Sequence, residues 1–149
     1  MQGYYKDEAA TADALTPDGW LRTGDLGYVD EKNRIFITGR KKYLIILSNG
    51  ENVSPEDLEN KFATVDKVKE VLVYAEEGVI TAEIFPNYDI FANAAEAEIA
   101  ASINELIKNI NDSLPSAKTI RRVRLRKNEF DITTSKKIRR NQAEKGEII

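Results

Sequence analysis

Three clusters of polar residues carry the chemistry open to this chain. The first is Arg22-Thr23-Gly24-Asp25, in a turn ahead of a strand. A carboxylate held by a glycine-containing turn can accept hydrogen bonds from a pair of sugar hydroxyls. Asp is equally a common turn residue that does no more than cap its own backbone. The second cluster is Gly39-Arg40-Lys41-Lys42, followed by Gly50-Glu51-Asn52, which on pattern alone is an exposed basic turn. The third is Thr133-Thr134-Ser135-Lys136-Lys137-Ile138-Arg139-Arg140. Hydroxyls followed by lysines suit a phosphate-contacting loop, while solvated charge is the usual reason for such a run. Taken singly, none of the three is decisive.

What is missing narrows the chemistry further. The 149 residues include no His and no Cys. Within them, disulfides, thiolate chemistry, Cys/His zinc sites, haem on His or Cys ligands, and Ser-His-Asp or Cys-His catalysis are excluded. Catalysis must rest on Lys, Arg, Asp, Glu, hydroxyls or backbone groups. The net charge of −3 hides a segregation, since Lys118 to Arg140 hold ten basic residues against Glu129 and Asp131. A basic segment on an acidic body predicts a local anionic partner such as phosphate, nucleotide or nucleic acid. Apolar residues make up 42% and charged residues 32%, with 8 Gly and 4 Pro, the balance of a core-forming chain. No apolar run approaches the roughly 20 residues of a membrane helix. Met1 to Ala10 is polar and lacks a signal-like segment, so the default expectation is a cytoplasmic protein.

The elements that must position these clusters are legible in the hydrophobic pattern. Residues 1–19 lack strong periodicity and contain the turn signal Thr16-Pro17-Asp18-Gly19. Gly27 to Val29 and Arg34 to Thr38 flank the polar tetrad Asp30 to Asn33, which predicts a β-hairpin. Tyr43 to Leu47 is an apolar run of strand length, expected to be buried on both faces. Ser54-Pro55-Glu56-Asp57 is a helix start, with Ser54 able to cap and Pro55 at the first position. Val68 to Val73 and Val79 to Phe85 predict two strands around Glu76-Glu77-Gly78. Ile99, Ile103, Leu106, Ile107 and Ile110 fall at helical spacing between Glu96 and Asn111. Ile120 to Leu125 alternates as a strand, and the segment around Ile138 is expected to be a short surface helix. The sum is an α+β fold: a small mixed β-sheet flanked by helices and preceded by a β-hairpin segment.

The order and spacing of the clusters add what no single cluster does. Gly3-Tyr4-Tyr5 with the Thr11 region resembles the "GYY…T" segment of AMP-forming acyl-CoA synthetases, in the adenylate-forming superfamily. Asp18 to Asp25 looks like that family's "DGW-x-x-TGD" motif. Ile37 to Lys42 with Gly50 to Glu59 resembles "I-T-G-R-x-K/D … GEN-x-x-P-x-x-[IL]E". Leu114-Pro115 matches a later "LP" element, and Thr133 to Arg140 resembles the terminal "T-x-S-G-K-I-x-R". Five motifs in family order cover essentially the whole chain. Two positions depart from the pattern: Lys136 replaces the glycine before the catalytic lysine, and Asp131 stands where proline is common.

The resemblance implies the C-terminal part of an ATP-dependent fatty acid–CoA ligase of the long-chain type. Such an enzyme forms acyl-AMP and then acyl-CoA. Residues 1–38 would be the tail of the large AMP-binding domain, 39–42 the hinge, and 43–149 the small lid domain. By the resemblance, Asp25 and Arg40 contact the nucleotide, and Lys42 is the hinge residue. Gly50, Glu51 and Asn52 form the face turned inward for thioester formation. Lys137 is the catalytic lysine of adenylation, with Lys136 the adjacent alternative. Implied cofactors are ATP, CoA and Mg²⁺, the ion held mainly by ATP phosphates and by the N-terminal domain, with no metal site in these residues. Implied partners are that N-terminal domain, ATP or AMP, a fatty acid and coenzyme A. Homodimerisation or a segment swap of an isolated fragment stays open, as does membrane association through the full-length enzyme. A fragment lacking the upstream phosphate loop and acyl pocket is expected to be inactive alone. The competing reading, a basic nucleic-acid-binding module, meets a stretch where Phe130 is the one aromatic, so no nucleic-acid partner is expected.

Overall fold

The computed structural model describes residues 1–141 and 145–149. It divides into two compact units, Met1–Lys42 and Tyr43–Ile149.

The first unit opens with a helix that the sequence pattern did not announce, α1 (Glu8–Ala14). Its start is set by Asp7, whose side chain accepts from the Ala10 N–H at 2.9 Å. Strands β1 (Asp25–Val29) and β2 (Ile35–Arg40) then form the expected antiparallel hairpin. Tyr28 stacks on Phe36 across this ribbon with ring centroids 5.1 Å apart. A two-stranded ribbon cannot bury both faces. Tyr28, Val29, Ile35 and Ile37 accordingly remain exposed, as do Tyr5 and Trp20.

The second unit holds the core. Strands β3 (Ile45–Ile46) and β4 (Asn52–Val53) make a short antiparallel ribbon that leads into helix α2 (Pro55–Glu59). Strands β5 (Val68–Glu76) and β6 (Val79–Pro86) form the long hairpin of a four-stranded sheet. Helix α3 (Glu96–Asp112) follows, and carries the chain to β7 (Arg122–Leu125), which pairs parallel to β6. Strand β8 (Glu147–Ile148) closes the sheet antiparallel to β7, giving the order β5-β6-β7-β8. The sheet is therefore mixed, because the β6–β7 crossover through a helix makes a parallel pair and the hairpin an antiparallel one. Helix α3 buries Ile99, Ile103, Ile107 and Ile110 against Val73, Ile80, Ala82, Ile84 and Val123. The isoleucines recur every three or four residues, the spacing of one helical face. Glu98 accepts from the Ala95 N–H at 3.0 Å, which satisfies one orphan donor at the helix start.

Three local expectations are corrected. The run Tyr43–Leu47 is a strand only at Ile45–Ile46, because Lys41–Tyr43 closes a 3-10 turn. It is buried on one face only: Ile45 is 4% exposed and Ile46 is 73% exposed. Ser54 does not cap α2; its hydroxyl donates to Glu56 at 3.2 Å. The segment around Ile138 is not helical, since Ile138 forms an antiparallel bridge with Ile132.

Candidate active-site elements

The carboxylate and guanidinium expected at the nucleotide are brought together by strand register. Asp25 starts β1 and Arg40 ends β2, directly opposite each other. Arg40 Nε lies 2.7 Å from Asp25 Oδ1, and Arg40 also donates to the Thr23 carbonyl at 3.1 Å. Asp25 is further fixed by its own N–H, which donates to Thr23 Oγ1. The pair is partly exposed, so each group keeps hydrogen-bonding capacity for a ligand. Two residues later Lys42 lies in the 3-10 turn at the boundary of the two units.

Gly50 and Lys137 lie in turns built to one plan. In the first, Leu47 N–H donates to the Glu51 carbonyl and Gly50 N–H to the Leu47 carbonyl, both at 2.9 Å. In the second, Thr133 N–H donates to the Lys137 carbonyl at 2.8 Å and Lys136 N–H to the Thr133 carbonyl at 2.9 Å. Each is a three-residue hairpin loop whose last member takes a left-handed conformation, the form in which such loops close a bulge. Gly50 has φ +81° and Lys136 φ +58°. The position that holds glycine in the resembling motif is thus the left-handed position of the turn, and here a lysine fills it. Thr133 adds a second constraint, accepting from the Lys137 N–H at 3.2 Å and sharing a hydrogen bond with Ser135. Lys136 and Lys137 are both exposed at the tip. Among the described residues no hydrogen bond or ion pair joins the 47–51 turn to the 133–137 turn.

The Lys137 turn is anchored by the last residue of its own motif, to which no role was assigned from sequence. Arg140 makes a two-pronged pair with Glu59, at 2.8 and 3.0 Å, and approaches Glu56 at 3.3 Å. It also donates to the Val73 carbonyl at 3.1 Å, and its guanidinium lies 4.7 Å from the centre of the Tyr43 ring. Glu59 ends the "P-x-x-[IL]E" motif and Arg140 ends the terminal motif, 81 residues apart. The signal was the presence of both charges in both motifs; only the fold shows that they meet. Burial pushes the Glu59 carboxyl above its ordinary value, opposed by the Val73 N–H and by Arg140.

The basic segment resolves differently from its appearance in sequence. Arg122 pairs with Glu76 and Glu77, Arg124 with Glu76, and Arg126 with the buried Glu83. Arg124, Lys145 and Arg122 together hold the Glu76 carboxyl down to about 2, overcoming the opposing effect of desolvation. Much of the charge read as an anion-binding surface is consumed by glutamates on β5 and β6. Among the described residues no group of three or more acidic side chains converges to hold a metal ion. No helix described is long and apolar enough to cross a membrane.

The family model for the AMP-binding enzyme C-terminal domain matches residues 42–146. The long-chain-fatty-acid–CoA ligase FadD15 of Mycobacterium tuberculosis is 30% identical over 94% of this chain, which spans 27% of that protein. Human long-chain-fatty-acid–CoA ligase 1 is 36% identical over 73% of the chain and 16% of its own length. Among solved structures, O-succinylbenzoate coenzyme A synthetase from Bacillus subtilis, in complex with AMP, superposes with a TM-score of 0.78 at 29% identity. The match covers 99% of this chain and 29% of that one. The chain therefore spans less than a third of each of these three proteins, and it shares the α+β fold of the matched part of the solved one.

Proposed function

Because the chain belongs to the AMP-binding enzyme C-terminal domain family, we propose that it is the C-terminal part of an ATP-dependent fatty acid–CoA ligase. The observation that carries this reading is the Thr133–Lys137 turn. It presents an exposed lysine at a fixed hairpin tip in a chain whose curated relatives include long-chain-fatty-acid–CoA ligases. In the first half-reaction the carboxylate attacks the α-phosphate of ATP, forming acyl-AMP and releasing pyrophosphate. An ammonium between nucleophile and phosphate favours the negative charge that builds up there. Lys137 takes that role. The left-handed backbone at Lys136 supports this register, since it equates Lys136 with the motif glycine and leaves Lys137 as the next residue. Asp25 holds the adenylate ribose hydroxyls, and Arg40 makes a second contact to the ribose or the phosphate. Mg²⁺ enters with the ATP phosphates and the N-terminal domain.

In the second half-reaction CoA sulfur attacks acyl-AMP and AMP leaves. Gly50, Glu51 and Asn52 form the face used in this step, and rotation about Lys42 exchanges the two faces. The residues up to 38 belong with the large domain, 39–42 with the hinge and 43–149 with the lid. The exposed Tyr5, Trp20, Tyr28 and Ile35 pack on the remainder of the large domain. In a separated fragment they favour pairing or segment swapping between two copies. A fragment confined to these residues is inactive alone, and the working enzyme is a cytoplasmic protein.

Measurement of fatty-acid-dependent ATP–pyrophosphate exchange and of acyl-CoA formation in the full-length enzyme tests the reading. Both are expected with wild type. Lys42→Pro fixes one hinge φ near −65°, whereas a hinge must change its backbone angles between poses. That variant keeps pyrophosphate exchange and loses acyl-CoA formation. Absence of exchange with every fatty acid tried overturns the assignment.

A further inference from the structure

We propose that Lys136, which stands where the motif has glycine, contacts the pyrophosphate that departs during adenylation. This inference rests on the ligase reading above and adds a residue to it. Among the described residues, four other than glycine take a positive φ: Lys6, Asn33, Glu77 and Lys136. That conformation is costly for residues with a side chain, and least so for Asn. Three of the four therefore have a local reason. Asn33 is of the tolerant type, Glu77 pairs with Arg122 at 2.8 Å, and the Lys6 ammonium lies 5.3 Å from the centre of the Tyr5 ring. Lys136 has no such reason. It is exposed, and its ammonium makes no hydrogen bond or ion pair with the described residues. Backbone strain of this kind clusters where a side chain is used in function.

The turn that carries Lys136 suits an anion. Residues 133–137 supply hydroxyls and two lysines, and no carboxylate. The two hydrogen bonds that close the loop, with the Lys137 N–H on Thr133, fix the backbone from which both lysines start. In adenylation the carboxylate oxygen bonds to the α-phosphorus. The bond from that phosphorus to the oxygen bridging to the β-phosphate breaks, and pyrophosphate leaves with the electron pair. No proton moves. The attacking and leaving oxygens lie roughly in line on opposite sides of the phosphorus. Lys137, between carboxylate and α-phosphate, faces the charge on the attacking side. The charge on the leaving side grows on pyrophosphate. Two ammonium groups on consecutive residues repel if they converge on one phosphate. A triphosphate offers a longer row of anionic oxygens along which they can separate. Lys136 is thus matched to the leaving group, and a compact charge on a flexible stem can follow it as it departs.

The test runs adenylation backwards in the full-length enzyme, converting acyl-AMP and inorganic pyrophosphate to ATP at fixed Mg²⁺. It compares wild type with Lys136→Gln, Lys136→Gly and Lys136→Arg. Lys136→Gln and Lys136→Gly are expected to raise the KM for pyrophosphate about fivefold, the size of a solvent-facing charge contact. The KM for acyl-AMP is expected to stay unchanged, and Lys136→Arg to remain near wild type. Lys136→Gly supplies the motif residue and relieves the left-handed backbone, so misfolding does not account for its loss. A rise in Lys136→Gly without one in Lys136→Gln makes the backbone responsible and overturns the proposal. An unchanged KM for pyrophosphate also overturns it; if kcat alone falls, Lys136 contacts the large domain instead. If wild type forms no ATP from pyrophosphate and any fatty acyl-AMP tried, the ligase reading falls and this inference with it.

Discussion

The turns at Leu47–Glu51 and Thr133–Lys137 make the same two backbone hydrogen bonds but fill their left-handed position differently. Gly50 stands at φ +81° in the first and Lys136 at φ +58° in the second. A third turn of this build, Asp30–Arg34, carries Asn33 at φ +57°. The left-handed well for an L-residue lies near +57°. Lys136 and Asn33 occupy that well, whereas Gly50 has moved to an angle that glycine adopts readily and side chains rarely do. A Cβ built on Gly50 meets nothing within 4 Å, so packing in this chain does not demand glycine there. The two turns thus meet one geometric requirement with unequal freedom. At 133–137 the backbone accommodates a lysine in the left-handed position. At 47–51 glycine leaves an open, unhindered surface of the kind a substrate arm needs.

If the turns serve different half-reactions, damaging them separately gives the largest effects. Lys137→Ala should lower acyl-AMP synthesis about 10²- to 10³-fold, the usual loss for one catalytic electrostatic contact. Thiolysis of supplied acyl-AMP should survive. Gly50→Val should do the opposite, slowing thiolysis while pyrophosphate exchange persists. Measuring both half-reactions in both variants decides the matter. If each variant damages the two steps equally, the division of labour is wrong; if Lys136→Ala alone impairs adenylation, the register is displaced by one residue.

Next in size is the clamp that holds the Lys137 turn to α2. Arg140→Ala removes a two-pronged pair and leaves the largely buried Glu59 without its cation. Losing a hydrogen-bonded partner of a charged group costs about 1.5–3 kcal/mol. Urea unfolding should show that loss, and adenylation should suffer more than thiolysis because the 133–137 turn is the one left unanchored. Equal damage to both steps would mean that Arg140 is a general stabiliser with no positioning role.

This clamp also marks where sequence reading ends. The isoleucine spacing of α3, the β5–β6 hairpin and the β1–β2 hairpin were legible because each is a local pattern of burial or turn chemistry. Helix α1 was missed, since none of its residues is buried and its start depends on one side chain, Asp7. The Ile132–Ile138 bridge was read as a helix because three residues of turn geometry, ending at a left-handed lysine, look like a polar helical run. Asp25, Gly50 and Lys137 were singled out by the resemblance of their motifs. Their supports were not: Thr23 beneath Asp25, and Glu59 beneath Arg140, are set by register and by contacts far apart in sequence.

A smaller effect sharpens a second contrast within the same unit. Glu59 and Glu76 are both gripped by arginine, yet their carboxyls shift in opposite directions. Burial dominates at Glu59 and raises it; donors from Arg124, Lys145 and Arg122 dominate at Glu76 and lower it to about 2. Stability from Glu76 is therefore complete above its unfolded value of 4.5 and is lost as pH falls toward about 2. Glu59 acts in the other sense: its contribution is greatest below 4.5 and declines as pH rises through its elevated folded value. Urea midpoints followed across acidic pH should show Glu76→Gln flattening the fall at the acid end. Glu59→Gln should leave that fall in place and remove the opposing trend above it. Coincident profiles for the two variants would refute the opposed shifts.

The smallest effect comes from exchanging the residues that distinguish the two turns. A left-handed conformation costs an L-residue about 1–2 kcal/mol relative to its right-handed alternative. Lys136→Gly removes that cost from the folded state, but glycine also widens the unfolded ensemble, which takes back about 0.4–1 kcal/mol. The net gain should be at most about 1 kcal/mol. Gly50→Lys narrows the unfolded ensemble by a similar amount, but φ +81° lies outside the well that Lys136 uses, so the added strain outweighs that offset. It should destabilise by about 1 kcal/mol even though the added Cβ has open space around it. The two substitutions exchange the same pair of residue types in opposite senses at equivalent positions of equivalent turns, so denaturant midpoints compare them directly. Opposite signs would show that backbone angle, not crowding, separates the turns. Equal and small effects of both would place the distinction outside this chain, in whatever docks against Gly50.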